Sequence, residues 1–293
     1  MRQNVFRGLG VALVTPFCAD GSVDYTSLEA LVNHCLEGQV DFLCVLGTTG
    51  ETPCLSLSEK REITARIVAQ VGGRIPLLLG CGGNNTAEVV RFLQEENLDG
   101  IDGVLIVTPY YNKPTQEGLF RHYCAVAQAT DKPVVLYNVP GRTGVNLEAA
   151  TVIRIAEANE NVVAVKEASG KLEQIREIIS NAPAGFELLS GDDNLTLDII
   201  EMGGVGVISV IGNAYPAEFG RMVHAALSAE KVQAQQIYGT LCEMLGLMTV
   251  DGNPAGVKAL LSVQGRIDNV LRLPLVPARE ETIERLRKLS MAI

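Results

Sequence analysis

The sequence contains no tryptophan, and aromatic residues make up only 5% of its 293 residues. A hydrophobic core must therefore be built from aliphatic side chains, which is typical of parallel sheets covered on both faces. Clusters of Lys and Arg are also missing, and the formal net charge is -10. Because nucleic-acid binding depends on such clusters to neutralise phosphates, we expect no nucleic-acid partner.

Long apolar runs are missing as well. None reaches the roughly 20 residues that span a bilayer, so we expect no membrane partner. The residues before Gly10 lack the apolar stretch of a secretory signal. The seven cysteines are scattered without CxxC spacing, which argues against a disulfide framework or a zinc site. We therefore expect reduced thiols in a cytoplasmic protein.

Eight short β-type runs alternate with amphipathic helical patterns along the chain. Each run is rich in Leu or β-branched residues and ends in residues that favour turns. Ser58 and Thr86 stand where two helices are predicted to begin, and we expect them to be N-caps. The runs cover residues 10–17, 42–50, 75–82, 103–111, 133–140, 162–170, 186–193 and 205–213.

Eight such strand–helix units predict an α/β fold, a (β/α)8 TIM barrel. The alternative is a doubly wound open sheet, whose dinucleotide-binding version carries GxGxxG after its first strand. This chain has Thr15-Pro16-Phe17 at that position instead. The barrel is therefore the favoured fold.

Helical patterns without strands follow the eighth unit, over residues 218–247, 254–264 and 278–291. They indicate helices that are added to the barrel rather than part of it. We predict a catalytic barrel over residues 1–228 and a C-terminal helical extension over residues 229–293.

Lys166 is the most informative residue at a predicted strand end, where TIM barrels place their active sites. Period-two alternation puts Val162, Ala164 and Lys166 on one face of the strand. Burial there would disfavour the ammonium and leave a neutral nucleophilic amine, as imine formation with a carbonyl requires. The alternative is a lysine directed at solvent.

Histidine is scarce, and His34, His122 and His224 all fall in helical patterns away from strand ends. This argues against a His general base and a His/carboxylate metal cage, so we expect no metal and no cofactor. Proton transfer would then depend on hydroxyl groups. A single strand-end Tyr is commonly a rim residue, but several hydroxyls favour catalysis: Thr48, Tyr111 and Tyr137.

Two further segments could bind carboxylates. The GTTGE run (47–51) offers backbone N–H groups and two hydroxyls on a tight turn, which suits an anion. Arg142, just beyond the fifth run, could pair with a second carboxylate through its planar guanidinium. A surface arginine in a turn is the alternative interpretation.

Six motifs occur in a distinctive order: GTTGE (47–51), TPYYNKP (108–114), LYNVPGRTG (136–144), VKEASG (165–170), LSGDD (189–193) and GVISV (206–210). With them the chain resembles the dihydrodipicolinate synthase family. That family belongs to the pyruvate-dependent class I aldolases, together with N-acetylneuraminate lyase. The resemblance extends from about Gly8 to the Leu273-Pro274 region.

The resemblance implies that Lys166 forms a Schiff base with pyruvate. It implies that Tyr137, Thr48 and Tyr111 relay protons, with Tyr111 lent across a dimer interface. The implied reaction condenses pyruvate with L-aspartate-4-semialdehyde to 4-hydroxy-tetrahydrodipicolinate, the first committed step of diaminopimelate and lysine biosynthesis. The implied assembly is a homotetramer made of two dimers.

The resemblance also assigns the binding of substrates. Thr49, together with Thr48, would hold the pyruvate carboxylate, and Arg142 that of the semialdehyde. Gly191 and Ile208 would line the site. Arg142 separates this family from sialic-acid lyases, whereas aldolases for hydroxy-oxo acids are closer rivals. A retro-aldol lyase for a longer 2-oxo acid and a barrel that binds without turnover therefore stay as alternatives.

An allosteric lysine site is implied only in part. Asn84, Glu88 and Tyr110 match the residues that bind L-lysine in regulated relatives. Leu57 and Lys60 stand where lysine-sensitive bacterial forms often carry His, and a second ammonium would repel bound lysine. We therefore expect weak or absent feedback inhibition.

Overall fold

The computed structural model describes residues 4–291 and 293 of the chain. In this part of the chain, eight strands are hydrogen-bonded in the order β1 to β8 and close into a parallel barrel. The predicted TIM barrel is thereby confirmed. The strands are β1 (Gly8–Ala12), β2 (Phe42–Val45), β3 (Leu77–Gly80), β4 (Gly103–Val107), β5 (Val134–Asn138), β6 (Val162–Glu167), β7 (Glu187–Ser190) and β8 (Gly206–Ser209).

Helices follow the strands in turn, and further helices come after the last strand. No helix in the described part of the chain has the length and apolar character needed to cross a membrane. The helices are α1 (Tyr25–Glu37), α2 (Leu57–Val71), α3 (Thr86–Glu95), α4 (Gln116–Gln128), α5 (Pro140–Thr143), α6 (Ala149–Ala158), α7 (Leu172–Asn181), α8 (Thr196–Glu201), α9 (Pro216–Leu227), α10 (Lys231–Val250), α11 (Ala255–Val263) and α12 (Glu280–Ser290).

The two predicted helix caps were wrong by one or two residues. Helix α2 is capped by Ser56, whose hydroxyl accepts from the N–H of Glu59 while the Glu59 carboxylate accepts from the N–H of Ser56. Ser58 instead lies in the first turn of that helix. Asn85 caps α3, and Thr86 is already helical. In both cases the cap is the last residue with extended backbone angles, as a cap requires.

The predicted runs extend beyond the strands. Strand β1 ends at Ala12 rather than at residue 17. Beyond it, Val14 N–H donates to the side chain of Asn213 (3.1 Å) and the Thr15 hydroxyl donates to the carbonyl of Gly50 (2.7 Å). Val14 and Thr15 therefore belong to a loop at the carboxyl end of β1 that is held by side-chain hydrogen bonds.

The helical pattern predicted over 218–247 is interrupted. Helix α9 ends at Leu227 and α10 begins at Lys231. Ala229 between them has a φ of +61°, which lies outside the right-handed helical region and ends α9. The division into a barrel over 1–228 and an extension over 229–293 stays a prediction.

Packing divides the described residues into two compact units. One consists of Pro76–Ile208 with residues 4–7, and its core contains Val104, Leu136 and Val165. The other consists of Gly8–Ile75 and Ser209–Ile293. It buries aliphatic side chains together with three phenylalanines, Phe17, Phe42 and Phe219.

Candidate active site

Lys166 lies at the carboxyl end of β6, and only 6% of its surface is exposed. The register of β5 with β6 pairs it with Tyr137. Its Nζ lies 4.4 Å from the centroid of the Tyr137 ring. The sequence prediction that Lys166 is buried at a strand end is therefore confirmed. A buried amine beside a phenol combines a nucleophile with a group that can exchange protons.

Gly191 follows β7 and leaves space for the Lys166 side chain. A Cβ at position 191 would lie 2.7 Å from the Cβ of Ala168 and 3.2 Å from the Cε of Lys166. The Gly191 N–H also donates to the carbonyl of Glu167 (2.8 Å). Close approach to the lysine therefore requires glycine here.

A buried carboxylate lies behind this pair. Glu167, which is 1% exposed, follows Lys166 and therefore points to the opposite face of β6. Its two oxygens accept from Nδ2 of Asn138 (3.2 and 3.0 Å), the residue after Tyr137. Ser169 N–H (2.7 Å) and Gln174 Nε2 (3.2 Å) also donate to it. This amide–carboxylate network joins the ends of the two strands that carry Lys166 and Tyr137.

Three other predicted residues of the same unit differ widely in exposure. Tyr111 is 88% exposed and has a φ of +74°, a strained conformation for an aromatic residue. Arg142 is exposed on the short helix α5. Ile208, by contrast, is buried in β8. The fold of a single chain thus leaves the Tyr111 phenol in solvent.

Of the residues predicted for lysine binding, Asn84 and Tyr110 lie on neighbouring loops of this unit and Glu88 lies on a helix. Asn84 Nδ2 donates to the carbonyl of Tyr110 (3.2 Å), and Asn112 Nδ2 donates to the carbonyl of Asn84 (3.0 Å). Tyr110 is 42% exposed, and Glu88 is exposed on α3. The structure thus places Asn84 and Tyr110 together.

In the second unit, the GTTGE segment forms the tight turn that the sequence predicted. Thr48–Gly50 is a short 3₁₀ helix after β2. Thr48 is half-buried, and Thr49 is only 2% exposed. The Thr49 hydroxyl oxygen accepts from Nδ2 of Asn253 (3.0 Å). A buried turn with hydroxyls and N–H groups can hold an anion.

Glu51 ends this turn in a left-handed conformation (φ +52°) and is 1% exposed. One carboxylate oxygen lies 2.5 Å from Nζ of Lys258, which is fully buried in α11. The other accepts from the N–H of Arg272 (3.0 Å). Burial lowers the pKa of Lys258, and the Glu51 carboxylate opposes this shift.

Arg272 extends the ionic cluster to the cap of α2. Its Nη1 and Nη2 donate to the Glu59 carboxylate (2.9 and 2.5 Å). This guanidinium holds the pKa of Glu59 at about 2, well below its usual value of 4.5. Lys258 and Arg272 also contact the Phe17 ring, at 4.1 and 4.5 Å from its centroid.

Sequence reasoning missed four residues that contact these segments. Asn138 and Glu167 could have been found, because they directly follow Tyr137 and Lys166. Alternation places them on the helix-facing side of the sheet, where a buried polar side chain needs partners. Asn253 and Lys258 carried no such signal, since their partners lie about 200 residues away in the sequence.

The family model described as "Dihydrodipicolinate synthetase family" matches residues 5–293. Among curated proteins, the 4-hydroxy-tetrahydrodipicolinate synthase of Azobacteroides pseudotrichonymphae is 54% identical over 288 residues, 98% of this chain and 97% of that protein. The enzyme of the same name from Phocaeicola vulgatus is 54% identical over 287 residues, 98% of this chain and 97% of that protein.

Solved structures give the same result. Dihydrodipicolinate synthase from Thermotoga maritima superposes with a TM-score of 0.96 at 42% identity, covering 99% of both chains. A structure described as a monomeric dihydrodipicolinate synthase variant has a TM-score of 0.95 at 42% identity, covering 98% of this chain and 96% of that one. With the buried lysine and the six motifs in place, the chain belongs to the dihydrodipicolinate synthetase family.

Proposed function

We propose that the chain condenses pyruvate with L-aspartate-4-semialdehyde through a Schiff base on Lys166, giving 4-hydroxy-tetrahydrodipicolinate. The buried Lys166 amine beside the Tyr137 ring carries the proposal. Relatives that match almost the whole chain are named for this product. The enzyme is then a lyase of the class I aldolase type, at the first committed step of diaminopimelate and lysine biosynthesis.

Capture of pyruvate is the first step. The Lys166 amine attacks C2 of pyruvate, and the carbinolamine loses water to give the imine. The turn with Thr48 and Thr49 holds the pyruvate carboxylate through hydroxyl and N–H donors, which are strong when the acceptor is charged. Gly191 and Ile208 line the space around the lysine.

Carbon–carbon bond formation follows. Loss of a proton from C3 converts the imine to an enamine, whose C3 attacks the aldehyde carbon, and the aldehyde oxygen takes up a proton. Tyr137, Thr48 and Tyr111 relay these protons, as positioned hydroxyls do in general acid–base catalysis. The substrate amine then attacks C2, closes the ring and releases the Lys166 amine.

The exposed Tyr111 reaches its site in a second subunit, within a homotetramer built from two such dimers. The 88% exposure of its side chain supports this arrangement, since a proton relay needs a sheltered hydroxyl. Mixing the inactive variants Tyr111→Phe and Lys166→Met tests it. Mixed dimers pair an intact Lys166 with an intact Tyr111, so activity should return; inactive mixtures that form mixed dimers would contradict exchange of Tyr111.

Arg142 selects the second substrate by pairing with the carboxylate of the semialdehyde. The guanidinium binds carboxylates through two parallel hydrogen bonds, and Lys cannot reproduce this geometry. Arg142→Met should therefore raise the KM for the semialdehyde without changing the pyruvate concentration that half-saturates imine formation. Equal turnover of longer 2-oxo acids would instead favour the retro-aldol lyase.

L-lysine binds weakly in our proposal. Asn84, Glu88 and Tyr110 offer polar groups for it, but Lys60 adds an ammonium and Leu57 adds an exposed apolar side chain. Calorimetric titration should show little heat with L-lysine. The matched variant Lys60→His should bind it more strongly, and tight binding by the unsubstituted chain would overturn this part of the proposal.

A cytoplasmic location completes the proposal. All seven cysteines lie within the described residues, and all are free thiols. Free thiols are typical of a reducing compartment.

Borohydride trapping with pyruvate, read by peptide mass, tests the proposed function directly. Lys166 should carry the reduced adduct, and a coupled assay with L-aspartate-4-semialdehyde should show turnover. Lys166→Met should abolish both, whereas Lys171→Met, which removes an exposed neighbouring lysine, should change neither. An adduct without turnover would favour the lyase, and no adduct would favour a barrel that binds without catalysis.

A further inference from the structure

The turn that carries Thr48 and Thr49 is held by residues from the C-terminal part of the chain. Asn253 Nδ2 donates to the Thr49 hydroxyl oxygen (3.0 Å), and Lys258 Nζ pairs with Glu51 (2.5 Å). Glu51 in turn donates its N–H to the carbonyl of Thr48 (3.1 Å). Backbone and side-chain contacts thus connect a buried ammonium to both threonines.

Filling the space between Lys258 and Glu51 does not require two charged side chains. Lys258 is fully buried, and besides Glu51 its Nζ donates to the carbonyl of Val270 (3.0 Å). Removing two charges from water costs so much that apolar residues of similar size often stabilise a core equally well. A buried ion pair does, however, specify one arrangement, because a Glu51 carboxylate placed elsewhere would leave the Lys258 ammonium buried without a counterion.

Asn253 determines which role the Thr49 hydroxyl has in hydrogen bonding. Because its Nδ2 donates to the Thr49 oxygen, the hydroxyl hydrogen of Thr49 is left to donate elsewhere. An incoming carboxylate is an acceptor that such a hydroxyl can meet without first breaking another hydrogen bond.

We infer that Lys258 is a positioning residue, which through Glu51 sets the Thr48–Thr49 turn for the carboxylate of the 2-oxo acid, while Asn253 orients the Thr49 hydroxyl. The inference rests on the proposed function, since it assigns the turn to pyruvate. It gives α11 and the segment before it a part in substrate binding. Lys258 touches no reacting atom.

The double variant Glu51→Gln with Lys258→Met tests this inference, because it removes both charges together. The glutamine side chain introduced at position 51 retains an oxygen for the N–H of Arg272, so the melting temperature should stay within roughly 5 °C of the unsubstituted chain. The pyruvate concentration that half-saturates borohydride trapping at Lys166 should rise about tenfold, as expected when one hydrogen bond to a charged group is weakened. The trapping rate at saturating pyruvate should change by less than about twofold.

Two further variants separate positioning from stability. Asn253→Ala removes the hydrogen bond to Thr49 and keeps the Lys258–Glu51 pair, and it should also raise the half-saturating pyruvate concentration. Lys132→Met removes another partly buried lysine, whose Nζ donates to the carbonyl of Ile101 (2.7 Å), and should leave pyruvate capture unchanged.

A folded double variant with unchanged half-saturation would overturn the role of Lys258. A double variant that fails to fold would assign the ion pair to stability and would overturn it too. These outcomes are distinct from failure of the proposed function, because that failure appears as absence of the Lys166 adduct in the unsubstituted chain.

Discussion

Two buried glutamates hold segments of the candidate site, and their carboxylates are paired with different kinds of donor. Glu167, behind Lys166, accepts hydrogen bonds from neutral donors: the amides of Asn138 and Gln174 and the N–H of Ser169. Glu51, after Thr49, faces the ammonium of Lys258 and accepts from the backbone N–H of Arg272. Both are 1% exposed. The first network contains one charge, and the second is an ionic cluster.

The difference predicts how much stability the chain loses when one partner is removed from each network. A carboxylate held by amides leaves neutral donors behind when it is removed, and each unsatisfied donor costs about 1–3 kcal/mol. A carboxylate held by a buried ammonium leaves a charge without a counterion, which costs about 3–5 kcal/mol. The Lys166 end of the molecule should therefore tolerate substitution better than the GTTGE turn does.

Lys258→Met should give the largest effect. It leaves the buried Glu51 carboxylate without its cation, and we expect unfolding free energy to fall by about 3–5 kcal/mol. Chemical denaturation followed by circular dichroism measures this loss. The control Lys132→Met should cost about 1 kcal/mol, the usual value of one neutral-acceptor hydrogen bond. Equal losses in the two variants would remove the distinction between the two networks.

Glu167→Gln should give an intermediate effect. The Gln amide adds donors to a site that already holds three donors, so we expect the free energy of unfolding to fall by roughly 2 kcal/mol. Because the network joins the strands of Tyr137 and Lys166, imine formation with pyruvate should also slow by roughly tenfold.

A reciprocal exchange sharpens this prediction. Asn138→Asp combined with Glu167→Gln restores one donor and one acceptor between β5 and β6. It should recover part of both the stability and the trapping rate, giving a coupling energy of about 1 kcal/mol in a double-mutant cycle. Additive losses would show that Asn138 and Glu167 act independently.

The sequence predicted the fold well because its strands and helices are encoded locally. Period-two alternation identified Lys166 at the end of a buried strand, and the scarcity of His directed attention to hydroxyls. The family and the barrel are confirmed, whereas the roles of all the predicted site residues, Lys166 and Tyr137 included, stay predictions. Cap positions were missed because a cap depends on backbone angles, which propensity at Ser58 or Thr86 does not determine.

Contacts between distant residues were beyond the sequence. The residues near Lys258 in the sequence do not indicate that its ammonium meets Glu51. A buried charge needs a partner, but the local sequence does not identify that partner. Alternation could have identified Glu167, since a charged residue on a face that packs against helices needs a partner. The networks that hold the candidate site are therefore the part of it that required a structure.

The smallest effect concerns pH and the outer part of the ionic cluster. Arg272 donates to Glu59 and holds its pKa at about 2, below the usual 4.5. A depressed carboxyl pKa stabilises the folded chain fully above pH 4.5, and this contribution is lost as pH falls towards 2. Glu59→Gln keeps the cap of α2 but lacks the charge, so it should cost about 1 kcal/mol near neutral pH, as part-exposed pairs do.

That cost should shrink as the pH falls from 4.5 to 2, and also with added salt, which screens exposed charges. Glu62→Gln on the same helix removes an exposed partner of Arg66 and should have a smaller effect at every pH. A Glu59→Gln deficit that stays constant down to pH 2 would show that the deficit does not come from the charge of Glu59. The ionic character of this region would then end at Glu51 and Lys258.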